Sequence, residues 1–354
     1  MKEREDMKIA SRCMPLGKLS YENISATTRM VAKFFEQNPF LAILPKVDPE
    51  DSIEKHTFSG MPGVKISNKK ITLKTGTNSY SQALLKLDKA FKTLDKDLLE
   101  IYAVESPFFQ KYLSIIKKFK SKNAYINLLG PFTISQMLMN TAEEQMLTDK
   151  SFRKMFIQAI CVKAIWFIEK IKEVSPETVP IVVLEEPLFS HFGMIKREND
   201  DITTDLVTNM YSRVIEKIKS RGALVAIQSM DKCDWKIPVN AGVDIISFDA
   251  YNNPNNLSIM PDIITEFLKR GGKINWGIIP VMTESIVKSL NLDYVSKRLF
   301  STMEGLIIAG VPENLVYNSA LVSIQGDVHD LPVIFTEKAI ILANQLSKKI
   351  PIKN

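Results

Sequence analysis

Short apolar runs rich in β-branched residues alternate with longer stretches of helical spacing from about residue 120 onward. The short runs are AYINLLG, VPIVVLEE, ALVAIQ, VDIISFDA, KINWGIIP and LVYNSALV. Apolar residues recur every three or four positions over residues 149–174, 203–220, 261–270, 284–309 and 336–347, which is typical of helices that pack on one face. Strands that alternate with helices in this way predict a parallel sheet.

The predicted strands are apolar along most of their length, as strands are when both of their faces are covered. Besides these six, FLAILPK at 40–46 and a strand near the amino end bring the expected number to eight. We therefore predict an α/β fold, a closed (β/α)8 TIM barrel that forms a single domain over residues 12–348.

The stretch 64–118 fits this alternation less well. Its first part, VKISNKKITLKTG, alternates like a small hairpin with Asn68, Lys69 and Lys70 at the turn, and helical spacing follows it. We interpret 64–118 as a small insertion after the second strand, with its helices packed on the barrel.

Composition and charge exclude several classes of protein. The 354 residues are 45% hydrophobic and 24% charged, and the net charge of +6 is spread along the chain, which disfavours a nucleic-acid or membrane partner. Three widely separated cysteines argue against a disulfide framework. The charged start MKEREDMKIA is unlike a signal peptide, so we expect a cytoplasmic protein.

Chemistry in such a barrel belongs at the carboxyl ends of the strands, which directs attention to a few residues. These are Glu185, Glu186, Gln228, Met230, Asp249, Trp276, Asn318 and Leu321. Consecutive residues of a strand point to opposite faces, so at most one of the two glutamates faces the barrel interior. That one is placed to hold a substrate amino group, and the other is expected to bond a loop amide or a lysine. Trp276 is expected either to wall a pocket or to pack in the core.

The order and spacing of several short segments at these strand ends resemble the catalytic, C-terminal barrel of cobalamin-independent methionine synthase. That family belongs to a superfamily with uroporphyrinogen decarboxylase and corrinoid-linked methyltransferases. LGKLS at 16–20 resembles the family's opening Ile-Gly-Ser-Leu-Pro, and FLAILP at 40–45 its aromatic-rich strand ending in Leu-Pro. LLGPFTIS at 128–135 resembles its Gly-Pro-hydrophobic-Thr turn and VVLEEP at 182–187 its Asp-Glu-Pro. Segments 233–252 and 270–280 are similar to single-barrel members, so the resemblance covers nearly the whole chain.

The resemblance implies methyl transfer to a thiol such as homocysteine, which a tetrahedral zinc holds as a thiolate. The family's His-x-Cys pair aligns with Gln228 and Met230, its acidic ligand with Asp249, and its last cysteine with Leu321. Of these only Asp249 is an ordinary zinc ligand, because an amide and a thioether do not ionise and leucine has no donor. Lys18 also stands where the family has serine, and Ser20 where it has proline.

The sequence therefore predicts that the zinc site is lost and that no cofactor is bound. Zinc remains possible only with rearranged ligands, for which Cys233, Asp231, Asp249 and His191 are the candidates. For His191 alone a solvated or structural role is favoured, because no second histidine or cysteine stands at metal spacing.

Two functions follow from this pattern. The first is a methionine-synthase-like methyltransferase, one-carbon or corrinoid-linked, whose small-molecule partners are a thiol and a folate or corrinoid methyl donor. The second is a non-catalytic barrel that binds a small molecule, or that regulates a methyltransferase or a corrinoid protein.

Overall fold

Six parallel strands form one curled sheet, and they lie side by side in the order in which they follow one another along the chain. The computed structural model describes residues 9–15, 17–67, 70–138 and 146–353. Its strands are β1 (Val64–Ser67), β2 (Lys70–Leu73), β3 (Asn123–Leu129), β4 (Val179–Glu185), β5 (Leu224–Ser229), β6 (Ile245–Asp249), β7 (Lys273–Ile279) and β8 (Ala320–Ile324). Strands β3 to β8 make the sheet, and β1 and β2 pair as a separate antiparallel hairpin.

Helices connect these strands and cover the convex face of the sheet. They are α1 (Ile24–Phe34), α2 (Ile53–Phe58), α3 (Asn78–Thr93), α4 (Lys96–Glu100), α5 (Phe109–Phe119), α6 (Pro131–Met137), α7 (Lys150–Val174), α8 (Phe192–Glu198), α9 (Thr204–Lys219), α10 (Lys236–Asn240), α11 (Pro261–Lys269), α12 (Glu284–Ser289), α13 (Leu292–Ile308), α14 (Glu313–Asn318) and α15 (Val333–Lys349). Contacts of α7 with β3 and β4, of α9 with β5 and of α15 with β7 and β8 place the main core between sheet and helices. The expected parallel α/β architecture is confirmed.

The expected closed barrel of eight continuous strands is not what the described residues form. The two amino-terminal segments lack regular strands and make isolated parallel bridges, Cys13 with Val322, Lys18 with Ile43 and Phe40 with Tyr125. Prolines at 15, 39 and 45 border or interrupt these segments, and a proline has no N–H to give to a ladder. FLAILPK therefore follows the wall of the sheet without becoming a strand. Leu16, within the opening LGKLS, lies outside the described residues.

The hairpin and the helix expected over 284–309 each agree with the structure only in part. The hairpin is present as β1 and β2. Of its expected turn residues, Lys70 instead begins β2, and Asn68 and Lys69 lie outside the described part of the chain. The single helix expected over 284–309 is two helices, because Leu290 is extended and Asn291 caps α13 by accepting a hydrogen bond from the Tyr294 N–H. The division of 64–118 as an insertion remains a prediction.

Helix α7 is buried around much of its circumference. It touches β3 and β4 on one side and α3, α4, α5 and α9 on others, so helices from 64–118 form an outer layer over it. The many apolar residues of α7 are buried by these neighbouring elements. The described residues include no helix with the length and apolar character of a membrane span.

Lys163 of α7 is a buried lysine without a carboxylate partner in the described structure. Its side chain is 1% exposed, and its Nζ donates to the carbonyl oxygens of Ser59 at 2.7 Å and Tyr102 at 2.5 Å. Burial lowers the pKa of Lys163 to about 7. A neutral amine still has two N–H groups, so both bonds survive loss of the proton. Lys163 thus ties the end of α2 and the segment after α4 to α7.

Replacing Lys163 by methionine should change how the free energy of unfolding depends on pH. The pKa of Lys163 is about 7 in the folded chain against an ordinary 10.5, so between these values the unfolded state binds more protons. The natural protein should therefore gain stability over Lys163→Met as the pH rises from 7 toward 10, by about 1.4 kcal/mol per pH unit. Urea unfolding at several pH values measures the difference.

Lys150→Met, which removes an exposed lysine of the same helix, controls for the loss of a positive charge. A difference between Lys163→Met and the natural protein that stays constant over this pH range would show that Lys163 titrates like a solvated lysine.

Candidate functional site

The two consecutive glutamates at the end of β4 lie on opposite sides of the sheet. Glu185 faces the concave side together with Asn127 of β3, and Glu186 faces the helices on the convex side. The expectation from strand alternation, that at most one of the two faces inward, agrees with this geometry.

Glu186 is a fully buried carboxylate whose oxygens are both occupied. Oε1 accepts from the N–H of Phe132 at 3.0 Å and from the hydroxyl of Tyr211 at 2.6 Å, and Oε2 accepts from the N–H of Thr133 at 2.7 Å. Burial raises the pKa of Glu186 to about 7, while these hydrogen bonds act in the opposite direction. The carboxylate joins the first turn of α6 to β4 and α9, which is a structural role.

Gly130 explains why the turn before α6 has its sequence. A Cβ at this position would overlap the carboxyl group of Glu186, and Pro131 then begins α6 at a place where no N–H donor is needed. The Gly-Pro-Phe-Thr turn therefore packs on and hydrogen-bonds to Glu186, the second glutamate of the strand end.

Glu185 differs from Glu186 in having one of its two oxygens open. Its Oε1 accepts from Asn127 Nδ2 at 2.6 Å, and within the described chain no residue donates to Oε2. Burial raises the pKa of Glu185 to about 7. The hydrogen bond from Asn127 and the charge of Lys18 oppose this rise, whereas the nearby carboxylates of Asp327 and Glu54 add to it. A carboxyl group that changes charge near neutral pH is suited to bind a cation or to exchange a proton.

A row of polar side chains crosses the concave face beside Glu185. The register of the strands aligns Glu185, Gln228, Ser247 and Asn275, in this order. Asn275 Nδ2 donates to Ser247 Oγ and Ser323 Oγ, each at 2.8 Å, and its buried Oδ1 has no partner in the described structure. The concave face therefore offers a polar surface with an acceptor left open.

Asp249 ends β6 on the same face, but its carboxylate is already occupied. Oδ1 accepts from the Asn252 N–H at 2.9 Å, and Oδ2 accepts from Asn252 Nδ2 at 2.7 Å and Gln325 Nε2 at 2.8 Å. A cation at Asp249 would have to displace these donors. The buried Oε1 of Gln325 has no partner among the described residues.

The other three positions aligned with zinc ligands carry an amide, a thioether and an aliphatic side chain. Gln228 Nε2 lies 3.8 Å from the sulfur of Met230, a weak acceptor. Leu321 is buried near the amino end of β8, in register with Asn275 and two residues before Ser323 on the same face. It therefore lies deeper in the sheet than the strand ends.

Two residues expected at the strand ends are placed elsewhere. Trp276 is 1% exposed and packs on Phe248 with ring centroids 5.4 Å apart, on the convex side of β7, so the core alternative for this tryptophan holds. The expectation that Asn318 follows a strand is wrong, because LVYNSALV divides into the end of α14 and β8, which leaves Asn318 before the strand. There it is exposed and bonds the backbone of Lys353 at the opposite edge of the sheet.

The candidates for a rearranged zinc site do not come together. The described chain contains no group of three or more His, Cys, Asp or Glu side chains placed to hold a metal ion. His191 and Asp231 are exposed, Cys233 is partly buried with its pKa raised by burial, and Asp249 holds its own partners on the concave face.

Several site residues were missed from the sequence. Asn127, Ser247, Asn275 and Ser323 each interrupt the apolar run of a different strand, on the concave face. These polar interruptions were the available signal. Gln325 comes just after β8 and had no such signal. Lys18, noticed only as a departure from the family pattern, acts on Glu185 through its charge.

Gly130→Ala should destabilise the chain by about 3 kcal/mol, because the added methyl group must displace the buried carboxyl group of Glu186 from its three donors. Gly193→Ala is the matched control, since a Cβ there meets no atom within 4 Å and lies in α8. That variant should be neutral or up to about 1 kcal/mol more stable. Chemical unfolding of both measures the difference, and equal stability would refute the contact between the turn and Glu186.

Removing the charges near Glu185 should move its pKa in opposite directions. Lys18→Met takes away a positive charge that favours the carboxylate, so the pKa should rise above about 7, and Asp327→Asn should lower it. Carbon-detected NMR titration of labelled glutamate carboxyls measures both, with exposed Glu177→Gln assigning one signal away from the site. A pKa near 4.5 for Glu185 in the natural protein would contradict the enclosed geometry.

Comparison with known proteins identifies no family for this chain. No family model matches the sequence, and no curated protein matches it. Among solved structures, a beta-N-acetylhexosaminidase is similar at 10% identity and a TM-score of 0.43, covering 97% of this chain and 73% of that chain. A chitobiase from Flavobacterium johnsoniae is similar at 9% identity and a TM-score of 0.36, covering 96% of this chain and 52% of that chain. Likeness at this level identifies neither a family nor a substrate.

Proposed function

We propose that this chain is a methionine-synthase-like barrel protein that works without a zinc–thiolate site and binds a small molecule with an amino group at the strand ends. The observation that carries the proposal is the contrast between two carboxylates. Asp249, at the position of the family's acidic ligand, has three donors, whereas Glu185 keeps an open oxygen and a pKa of about 7.

The protein groups around the proposed ligand are mostly hydrogen-bond acceptors. Ionised Glu185 accepts at Oε2, and the unpartnered oxygens of Asn275 and Gln325 belong to the same concave face. Lys18 supplies a positive charge near Glu185. An ammonium group and a carboxylate on one small molecule match this arrangement, because the ammonium donates to the acceptors and the carboxylate faces the lysine.

Glu185 supplies the proposed chemistry. When ionised it holds the ammonium group of the ligand, and when protonated it is a source of a proton at neutral pH. The side chain of Asn127 fixes the direction of its Oε1. A polar network at the aligned ligand positions replaces the zinc: Asn252 and Gln325 hold Asp249, and Gln228 lies against Met230.

The resemblance leaves two forms of this function. In the catalytic form the chain transfers a methyl group from a folate or corrinoid donor to a thiol such as homocysteine. In the non-catalytic form it binds the small molecule and regulates a methyltransferase or corrinoid protein. The occupied carboxylate of Asp249 favours the second form, because it removes the one ordinary ligand that zinc activation of a thiol would use.

The same proposal includes a cytoplasmic location and a wall that continues from β8 to β3 through the two amino-terminal segments. The bridges at Cys13, Lys18 and Phe40 support closure, since they carry backbone pairing from β8 through both amino-terminal segments to β3.

Ligand-induced thermal stabilisation tests the role of Glu185. Homocysteine and methionine should raise the melting temperature more at about pH 8.5 than at about pH 6, because Glu185 is ionised above about 7. A thiol acid of the same length without the amino group should not. Glu185→Gln should lose the effect, and Glu177→Gln, an exposed carboxylate elsewhere, should retain it. Equal stabilisation of Glu185→Gln and the natural protein would contradict the proposal.

Activity and metal content then separate the two forms. Purified chain is mixed with homocysteine and a methylfolate or methylcobalamin donor, with and without added zinc. Formation of methionine without zinc, and its loss in Glu185→Gln, would support the catalytic form. If no methionine forms under any of these conditions, only the binding form is left. One tightly held zinc per chain that is lost in Asp249→Ala would overturn the zinc-free proposal.

A further inference from the structure

A large cleft lies beside the concave face, and none of the residues around Glu185 lines it. It has a volume of about 810 Å³ and is formed by three loops that follow neighbouring strands, at 189–196, 232–236 and 252–260. Its size is within the range of small-molecule sites. Because all three loops follow strand ends, the cleft opens on the edge of the sheet where binding sites of α/β proteins occur.

Positive charge dominates the wall of this cleft. Lys196, Lys232 and Lys236 line it against one acidic residue, Asp234. All three lysines are exposed, and Lys232 and Lys236 form no ion pair with any residue that the structure describes. Asp234 is partly engaged, since its Oδ1 accepts from the N–H of Lys236 at 3.1 Å. The wall of the cleft therefore carries the positive charges of three lysines against the single negative charge of Asp234.

The lysines retain donors for a ligand. Lys196 gives one hydrogen bond, to Thr204 Oγ1 at 2.9 Å, and an ammonium group has three donors. No arginine is among the described residues that line the cleft, so the planar two-point grip that suits a carboxylate is missing. Several point charges around one space suit a phosphate, which carries up to two negative charges and three terminal oxygens.

A buried amide in the same wall lacks a partner. Asn256 lines the cleft, is only 4% exposed, and its Nδ2 has no hydrogen bond in the described structure. Unsatisfied buried donors are uncommon in folded proteins, and an acceptor brought by a ligand would satisfy this one. Asn252, Asn253 and Asn255 add further amides to the loop.

The remainder of the cleft is apolar. Phe189 and Phe192 lie along one side, and Ile259 and Met260 along another. Ile259 is 74% exposed, a large fraction for an isoleucine in a folded chain. A free phosphate ion would leave this apolar surface uncovered, whereas an organic group attached to the phosphate would cover it.

We propose that this cleft is a binding site for a small organic phosphate, with Lys196, Lys232 and Lys236 around the phosphate and the apolar side around the organic group. The site is separate from the one at Glu185. It shares only a wall with it, since Asn252 lines the cleft and also holds the Asp249 carboxylate.

Equilibrium dialysis of the full chain with labelled AMP, at about 0.15 M salt so that weak surface attraction is screened, tests this site. AMP should bind one per chain, adenosine should not bind measurably, and inorganic phosphate should compete only at much higher concentration. Lys232→Gln combined with Lys236→Gln should weaken AMP binding about tenfold or more. Lys86→Gln combined with Lys89→Gln, which removes two exposed lysines from α3, should change it less than about twofold.

Absence of AMP binding, equal weakening by both pairs of substitutions, or equal affinity for adenosine would each overturn the proposal. Competition by inorganic phosphate as strong as that by AMP would refute the role of the apolar side. Glu185→Gln should leave AMP binding unchanged, so failure of this site and failure of the proposed function at Glu185 are told apart.

Discussion

The hydrogen bonds of Glu186 are the contact on which the site depends most. One buried carboxylate receives two backbone N–H groups from the start of α6 and the hydroxyl of Tyr211 from α9, and so joins two helices to the end of β4. Because successive residues of a strand alternate in direction, anchoring Glu186 behind the sheet commits Glu185 to the concave face. Glu185 and Glu186, although identical and adjacent in sequence, thus have different surroundings and different roles.

Around Asp249, the oxygens of a buried carboxylate are satisfied by amide donors of the protein itself. Asn252 and Gln325 supply these hydrogen bonds. Each such bond is modest in water-exposed settings, but a buried carboxylate left without donors would be costly. The amides therefore stabilise the folded chain around Asp249. Asn252 also lines the lysine-lined cleft, so the cleft and the concave face at Asp249 lie next to each other.

Much of the sheet could be predicted from the sequence because strand and helix periods differ so clearly. All six strands of the sheet lie within or at predicted runs, and Asp149 and Thr203 cap α7 and α9 at their expected starts. That the amino-terminal segments are not regular strands could not be predicted, because apolar runs such as FLAILPK look the same whether they pair along their length or only at one residue. Asn318 was misplaced for a related reason: the segment LVYNSALV was interpreted as one strand, whereas it contains a helix end followed by a strand. The fate of Trp276 and the partners of Asp249 depend on contacts between distant residues, which one sequence does not display.

The three isolated bridges at the amino end also determine how the wall of the protein moves. Strands β3 to β8 are held by continuous ladders, whereas each amino-terminal segment is held by only a pair or two of backbone bonds. Local opening follows the weakest line of backbone bonding, so the amide hydrogens of residues 12–14, 17–19 and 40–44 should exchange with solvent sooner than those of β4 to β7. Gly17 and Lys18 lie on that line and next to Glu185. Local opening of this seam would therefore change the surroundings of Glu185 while the ladders of β4 to β7 stay intact.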